Sequence, residues 1–244
     1  MVEIKPDFIS YNKTFYQNLK SINFTSSNEI KEYLSKYITE TTKENDMFFG
    51  VSDTVTEGVY IYQTINDNNE GIRLYKDWSN NNFCNYEQHP SDAKLVYELI
   101  KKQKNIKLTD FPTGIITLKG FVIGQIIPLY NNSLTLEENL DKITDIQLFK
   151  YYKNILEILK ELQNNEIIYA DVHTRNFIVY NNIIKLIDFD PYYVSFDNLL
   201  YSRMINNLKI MINRINNYKR YNIFLQKEET LDNIEETIRT KILK

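Results

Sequence analysis

Four side chains of the stretch Tyr169–Pro191, YADVHTRNFIVYNNIIKLIDFDP, could work on a metal-bound phosphate: Asp171, Asn176, Asp188 and Asp190. Phe177-Ile178-Val179-Tyr180 and Ile183-Ile184-Lys185-Leu186-Ile187 are rich in β-branched residues and predict two short buried strands. Asn181-Asn182 between them suits a two-residue hairpin turn, because Asn tolerates positive φ. Such a hairpin folds the chain back and brings Asp188 near Asn176 and Asp171. Two carboxylates and a carboxamide at strand ends are hard oxygen ligands, few in number. That is what Mg²⁺ takes when phosphate oxygens complete its shell. The chemistry on offer is work on a metal-bound phosphate. The plainer alternative is that Asp171 and Asn176 cap turns and Asp188 merely ends a strand.

The rest of the chain must position this cluster. At 244 residues it has room for one large domain or two small lobes around a cleft. Its 43% hydrophobic and 25% charged content is that of an ordinary globular protein. A net charge of −3 gives no reason to expect nucleic acid or an anionic membrane surface as partner. One cysteine, Cys84, leaves no internal disulfide and suits a reducing compartment. No apolar run is long enough for a membrane span, so membrane insertion is not expected. The opening MVEIKPDF lacks a secretory-signal pattern, and a cytoplasmic location is the expectation.

In chain order, residues 1–46 read as a helical N-terminal extension. Ser26-x-x-Glu29 before Ile30, Tyr33, Leu34, Tyr37 and Ile38 predicts a capping box opening an amphipathic helix that covers a sheet. Strands follow at Phe48–Val51, Gly58–Ile65 and Gly71–Trp78. Alternation puts Ile72, Leu74 and Lys76 on one face of the third. Lys76 then points inward, where an unpaired ammonium is costly, so it needs an anionic partner. A helix from Ser91 to about Lys104 carries Glu98 on its length, and Lys94 or Lys102 could take Glu98 as a surface i±4 pair instead. Strands Gly114–Leu118 and Phe121–Ile127 come next. Thr144 or Asp145 then caps a helix with apolar positions Ile146, Phe149, Tyr152, Leu156, Leu159 and Leu162.

With these residues in view, Tyr169–Pro191 resembles the catalytic core of the protein-kinase-like superfamily. Tyr169-x-Asp171-x4-Asn176 matches that family's catalytic loop, and Ile187-Asp188-Phe189 stands where its metal-binding Asp-Phe-Gly begins. The resemblance spans roughly Phe48–Pro191. It implies Asp171 as catalytic base, Asn176 and Asp188 as Mg²⁺ ligands, and Lys76 as the strand lysine that touches the α- and β-phosphates of ATP. Lys76 would pair with a helix glutamate, Glu98 or the competing Glu87. Ser52, with Thr54 and Thr56, would donate hydroxyls from a phosphate-covering loop that lacks the G-x-G-x-x-G pattern; an ordinary hairpin loop is the alternative. In the hinge position, 126–131, Pro128 has no N–H to give. Backbone contacts to adenine would therefore come from its neighbours, Ile127 and Leu129.

Departures from the family pattern narrow the class. Ala170 replaces the Arg of many regulated protein kinases, and Asp171-x-His173-x-x-Asn176 is closer to aminoglycoside- and choline-type phosphotransferases. Asp190 stands in place of the Gly of Asp-Phe-Gly, as is common in that branch. His173 either orients the loop or meets the substrate. After Pro191 there is no Gly, Pro or Trp, so the Ala-Pro-Glu element of protein kinases is absent. The tail reads as a helix from Phe196 to about Tyr218, with Leu199, Leu200, Met204, Leu208, Met211, Ile212 and Ile215 apolar. A shorter helix carries Leu231, Ile234, Ile238 and Ile242. Arg214, Lys219 and Arg220 form either a solvated face or a contact for an anionic substrate.

The fold expected is α+β and two-lobed: an antiparallel sheet plus helix over 47–127, and a reduced, mostly helical lobe over 128–244. The function expected is an ATP- and Mg²⁺-dependent phosphotransferase acting on a hydroxyl acceptor, a small molecule ahead of a protein. Two other readings stand beside it: a pseudokinase serving as a nucleotide-binding or protein-interaction module, and a protein kinase with a reduced C-lobe.

Overall fold

The computed structural model describes residues 19–37, 59–63, 70–75, 90–130, 132–190, 192–221 and 224–242. The protein is α+β. Its residues divide into two compact units, one of Met1–Lys101 with Phe111–Asn131, the other of Lys102–Asp110 with Asn132–Lys244.

The first unit is built on a five-stranded sheet. In chain order it contains β1 (Lys20–Phe24), α1 (Ser27–Tyr37), β2 (Val59–Gln63), β3 (Glu70–Tyr75), α2 (Pro90–Gln103), β4 (Gly114–Leu118) and β5 (Phe121–Pro128). The strands lie in the order β1-β4-β5-β3-β2. All pairs are antiparallel except β1 with β4, which is parallel. Two expectations are corrected here: 20–24 is a strand rather than part of a helical extension, and the sheet is mixed rather than antiparallel. Only Ile22 and Phe24 of KSINF contribute apolar surface, so the strand has too little local signal to be recognised alone. Its partner supplies the missing backbone groups.

Alternation along the strands divides the side chains between two faces. Ile72, Leu74, Ile116, Leu118, Ile123 and Ile126 form one buried cluster with Phe24 and Ile30. Ile30 of α1 is 1% exposed there, a burial that contributes about 1.5–3 kcal/mol, and Tyr33 meets Phe24 edge-on at 5.4 Å. The expected helix cap is present in altered form. Ser26 Oγ accepts from Glu29 N–H at 3.3 Å, while the Glu29 carboxylate accepts from Thr25 N–H at 2.7 Å. On the opposite face Ile115 and Val122 pack with Val96 of α2 and with Leu19. A register shift between Ile116 and Thr117 accompanies a close backbone approach. A Cβ on Gly124 would lie 2.1 Å from the Arg73 carbonyl oxygen, so only glycine fits.

The second unit holds β6 (Leu134–Thr135), α3 (Leu136–Asn139), α4 (Asp145–Asn164), β7 (Ile168–Tyr169), β8 (Phe177–Tyr180), β9 (Ile183–Leu186), β10 (Val194–Ser195), α5 (Tyr201–Tyr218) and α6 (Leu231–Ile242). Thr144 caps α4 through a capping box with Gln147. The buried side of α4 runs Leu148, Tyr151, Tyr152, Ile155, Leu156, Ile158, Leu159 and Leu162. Ile146, expected on that side, is 83% exposed. On α5, Met204, Leu208, Met211, Ile212 and Ile215 are buried as the spacing requires. That helix begins five residues later than expected, and Leu199, left outside it, is 83% exposed. Tyr152 donates to Asn216 Oδ1 at 3.0 Å in the interior, joining α4 to α5.

Candidate functional site

The hairpin forms where the sequence placed it. β8 and β9 pair antiparallel, and Asn181 and Asn182 adopt φ of 50° and 62° between them. These left-handed values are the ones a tight hairpin turn demands and Asn accepts. α4 ends at Asn164, Glu166 turns the chain with φ 58°, and buried Ile167, Ile168 and Tyr169 lead into the loop.

Asn176 is the node of the site and is 4% exposed. Its Nδ2 donates to Asp171 Oδ2 at 2.8 Å, to the Asp171 carbonyl at 3.0 Å and to the Tyr169 hydroxyl at 2.8 Å. Its own carbonyl accepts from Ile187 N–H at 2.9 Å, which ties the loop to the end of β9. The Tyr169 hydroxyl faces the carbonyls of Ile187 and Asp188, each at 3.2 Å. It therefore links Asn176 to the backbone of Asp188, and its fully buried ring meets Phe189 edge-on at 5.4 Å. Asp188 itself has φ 65°, a left-handed conformation that Asp tolerates better than most residues. Asp171, Asn176 and Asp188 are thus bound into one hydrogen-bonded assembly.

His173 precedes the 3₁₀ turn Thr174–Asn176. Its Nδ1 accepts from Arg175 N–H at 3.2 Å, which leaves Nε2 as the hydrogen-bearing nitrogen, 3.4 Å from Asp171 Oδ2. Glu137 of α3 steadies the same turn by accepting from Thr174 Oγ1 at 2.8 Å. The Asp171 side chain is 22% exposed. Burial alone pushes its carboxyl upward. The hydrogen bond of His173, that of the Asn176 amide and the charge of Arg203 outweigh that and hold it below its ordinary range. Asp171 is therefore an ionised carboxylate open to solvent on one side. Asp190 closes a turn instead. Its Oδ1 accepts from Tyr192 N–H at 2.8 Å and its carbonyl from Tyr193 N–H at 3.0 Å.

α5 and the turn before β10 hold the residue that precedes Asp171. Ala170 N–H donates to the Tyr193 carbonyl and the Ala170 carbonyl accepts from Asn207 Nδ2, both at 2.7 Å. Arg203, one turn before Asn207, stacks on the Tyr193 ring at 4.7 Å. Reading the sequence placed Tyr169 in the motif without a role for its hydroxyl, and missed Arg203 and Asn207. Only Tyr169 carried a local signal, as a buried aromatic with a hydroxyl inside the motif.

The remaining expected residues belong to the first unit or fall outside the described residues. Glu98 is partly buried on α2, and Lys101 donates to its carboxylate at 3.2 and 3.4 Å; this is an i,i+3 pair rather than the i±4 pair considered. Lys102 instead donates to the Asn165 carbonyl at 2.8 Å. Ile127 lies in β5 opposite Gly71, and the Leu129 side chain covers Gly71 so closely that a Cβ there would meet it at 2.7 Å. Both are half-buried. Ser52, Thr54, Thr56, Lys76, Cys84, Glu87, His89, Asn131 and the strand Phe48–Val51 lie outside the described residues. Arg73 pairs in register with Gln125, which also faces Ile115, so this row shares the α2 side of the sheet. Arg73, 8% exposed, is thus the β3 cation beneath α2, whereas Ile72 and Leu74 face α1.

Among the described residues no three His, Cys, Asp or Glu side chains converge as a metal cluster. A metal at Asn176 and Asp188 would take its remaining ligands from phosphate and water. That donor set fits Mg²⁺, which dehydrates reluctantly and uses one or two carboxylates. No described helix is long and apolar enough to cross a membrane.

Fold and site together define an α+β protein that pairs a helix-flanked mixed sheet in one unit with an Asp-Asn-Asp loop-and-hairpin assembly in the other. No protein-family model matches the sequence, and no curated protein matches it at a significant level.

Proposed function

We propose that this protein is a kinase-like phosphotransferase that moves the γ-phosphate of ATP to a hydroxyl acceptor, a small molecule ahead of a protein, with Mg²⁺. The observation that carries the reading is the Asp171 carboxylate: ionised, accessible, and tied through the Asn176 amide to the strand end that bears Asp188. An α+β chain in two compact units is compatible with a two-lobed fold of that kind.

Asp171 accepts the proton of the acceptor hydroxyl as that oxygen takes the phosphoryl group and ADP departs. The Asn176 amide donates to the Asp171 carboxylate, and His173 Nε2 lies beside it. Together they keep it ionised and fix its orientation. Asn176 Oδ1 and the Asp188 carboxylate are the groups that would hold Mg²⁺, which supplies charge neutralisation at the phosphates when bound.

Replacing Asp171 with Ala tests the reading. Phosphoryl transfer should fall by ~10²–10⁴-fold, while Mg·ATP affinity stays nearly the same. Basal ATP hydrolysis is a usable assay because water can stand in for the acceptor. A wild type that binds ATP tightly without metal-dependent turnover would favour a nucleotide-binding module. Turnover unchanged by Asp171→Ala would move the chemistry elsewhere.

A further inference from the structure

Arg203 is exposed, yet its position is fixed. The guanidinium lies 4.7 Å over the Tyr193 ring, and the Tyr193 carbonyl holds the N–H of Ala170, the residue before Asp171. One turn along α5, Asn207 holds the Ala170 carbonyl. Arg203 and the candidate base are therefore braced against the same backbone. A stacked guanidinium keeps its N–H edge available, and that edge matches the two oxygens of a carboxylate or phosphate.

Of the other exposed arginines among the described residues, Arg175 has Glu137 at 3.9 Å and Arg239 has Glu236 at 2.6 Å, while Arg214 and Arg220, like Arg203, are in no ion pair; what sets Arg203 apart is its place beside the Ala170 backbone. Among the described residues Arg203 has no carboxylate within ion-pair distance. The positive charge of Arg203 also reaches the Asp171 carboxylate. A cationic acceptor would meet repulsion at the same place.

We propose that Arg203 recognises the acceptor and that the acceptor carries an oxyanion, carboxylate or phosphate, beside its reacting hydroxyl. The proposal rests on the phosphotransferase reading above and names its substrate class.

Four matched compounds test it: glycerate, glycerol 3-phosphate, glycerol and ethanolamine, each assayed with Mg·ATP for phosphoryl transfer and by saturation-transfer NMR for binding. One or both anions should exceed glycerol and ethanolamine in kcat/KM by ~10–100-fold, the range that a charge-assisted hydrogen bond supplies. Arg203→Gln should collapse that ratio towards one, and Arg203→Lys should restore part of it. The two anions distinguish carboxylate from phosphate recognition. Equal or better use of glycerol or ethanolamine overturns the proposal, as does a ratio that survives Arg203→Gln. Absence of Arg203-dependent binding of either anion overturns it whether or not transfer is found. Arg203-dependent anion binding in a protein with no ATP turnover would instead sink the phosphotransferase reading and uphold the anion site.

Discussion

Tyr169→Phe isolates the hydrogen-bonded link between the candidate base and the strand end that bears Asp188. The ring is fully buried and its edge-on contact with Phe189 at 5.4 Å is retained in the variant, so packing is kept and only the hydroxyl is lost. Asn176 Nδ2 has two hydrogens and three acceptors within 3.0 Å. Losing the hydroxyl leaves it both Asp171 oxygens, and the deficit falls on the carbonyls of Ile187 and Asp188, each 3.2 Å from the hydroxyl. One hydroxyl hydrogen is shared between them, so the loss is that of about one hydrogen bond plus partial desolvation of a carbonyl, ~1–2 kcal/mol. With a urea slope of ~1–3 kcal/mol per M, the unfolding midpoint should drop by roughly 0.3–2 M at unchanged slope. Activity should respond more steeply than stability, through a raised Mg²⁺ requirement, because Asp188 is no longer held against Asn176. Urea denaturation and a Mg²⁺ titration of ATP hydrolysis measure the two effects. A variant with wild-type midpoint and wild-type Mg²⁺ dependence would refute the idea that Tyr169 couples the two halves of the site.

Asp188→Asn removes the carboxylate proposed to hold Mg²⁺ and should weaken Mg²⁺-dependent ATP binding without unfolding the protein; calorimetry giving equal Mg·ATP affinity would count against Asp188 as a ligand. His173→Ala removes a hydrogen bond that helps hold the Asp171 carboxyl down, while burial still pushes it up. Because the folded pKa is depressed in the wild type, Asp171 stabilises the fold above its unfolded pKa, and that stabilisation is lost as pH falls through the folded pKa. The variant should therefore lose activity at a higher pH on the acid side, and a superimposable acid limb would show that His173 does not act on Asp171. In the first unit, Gly124→Ala would drive a Cβ to 2.1 Å from the Arg73 carbonyl, a backbone clash that should cost ~1–3 kcal/mol or more. A thermal midpoint within a degree of wild type would mean the strand relaxes freely.

The β8–β9 hairpin was legible because everything it needs is local: two β-branched runs and an Asn-Asn pair able to adopt positive φ. The α4 cap was legible for the same reason, Thr144 lying three residues before Gln147. Helix faces were read less well, since spacing defines a stripe but not its edges. Ile146 and Leu199 fit the stripe and ended in solvent, each 83% exposed. β1 escaped notice because KSINF has little apolar character, and its partner Gly114–Leu118 lies far along the chain.

By itself the sequence determined the spacing of Asp171, Asn176 and Asp188 and the hairpin that returns the third to the first two. Those relations are set by turn chemistry and strand propensity over a few residues. Only the tertiary structure decided what surrounds them. Tyr169 reaches carbonyls 18 and 19 residues away, and Asn207 reaches Ala170 across 37. It also put Arg73 rather than the Ile72–Leu74 row on the α2 side of the sheet, because strand register, not residue type, chooses the face.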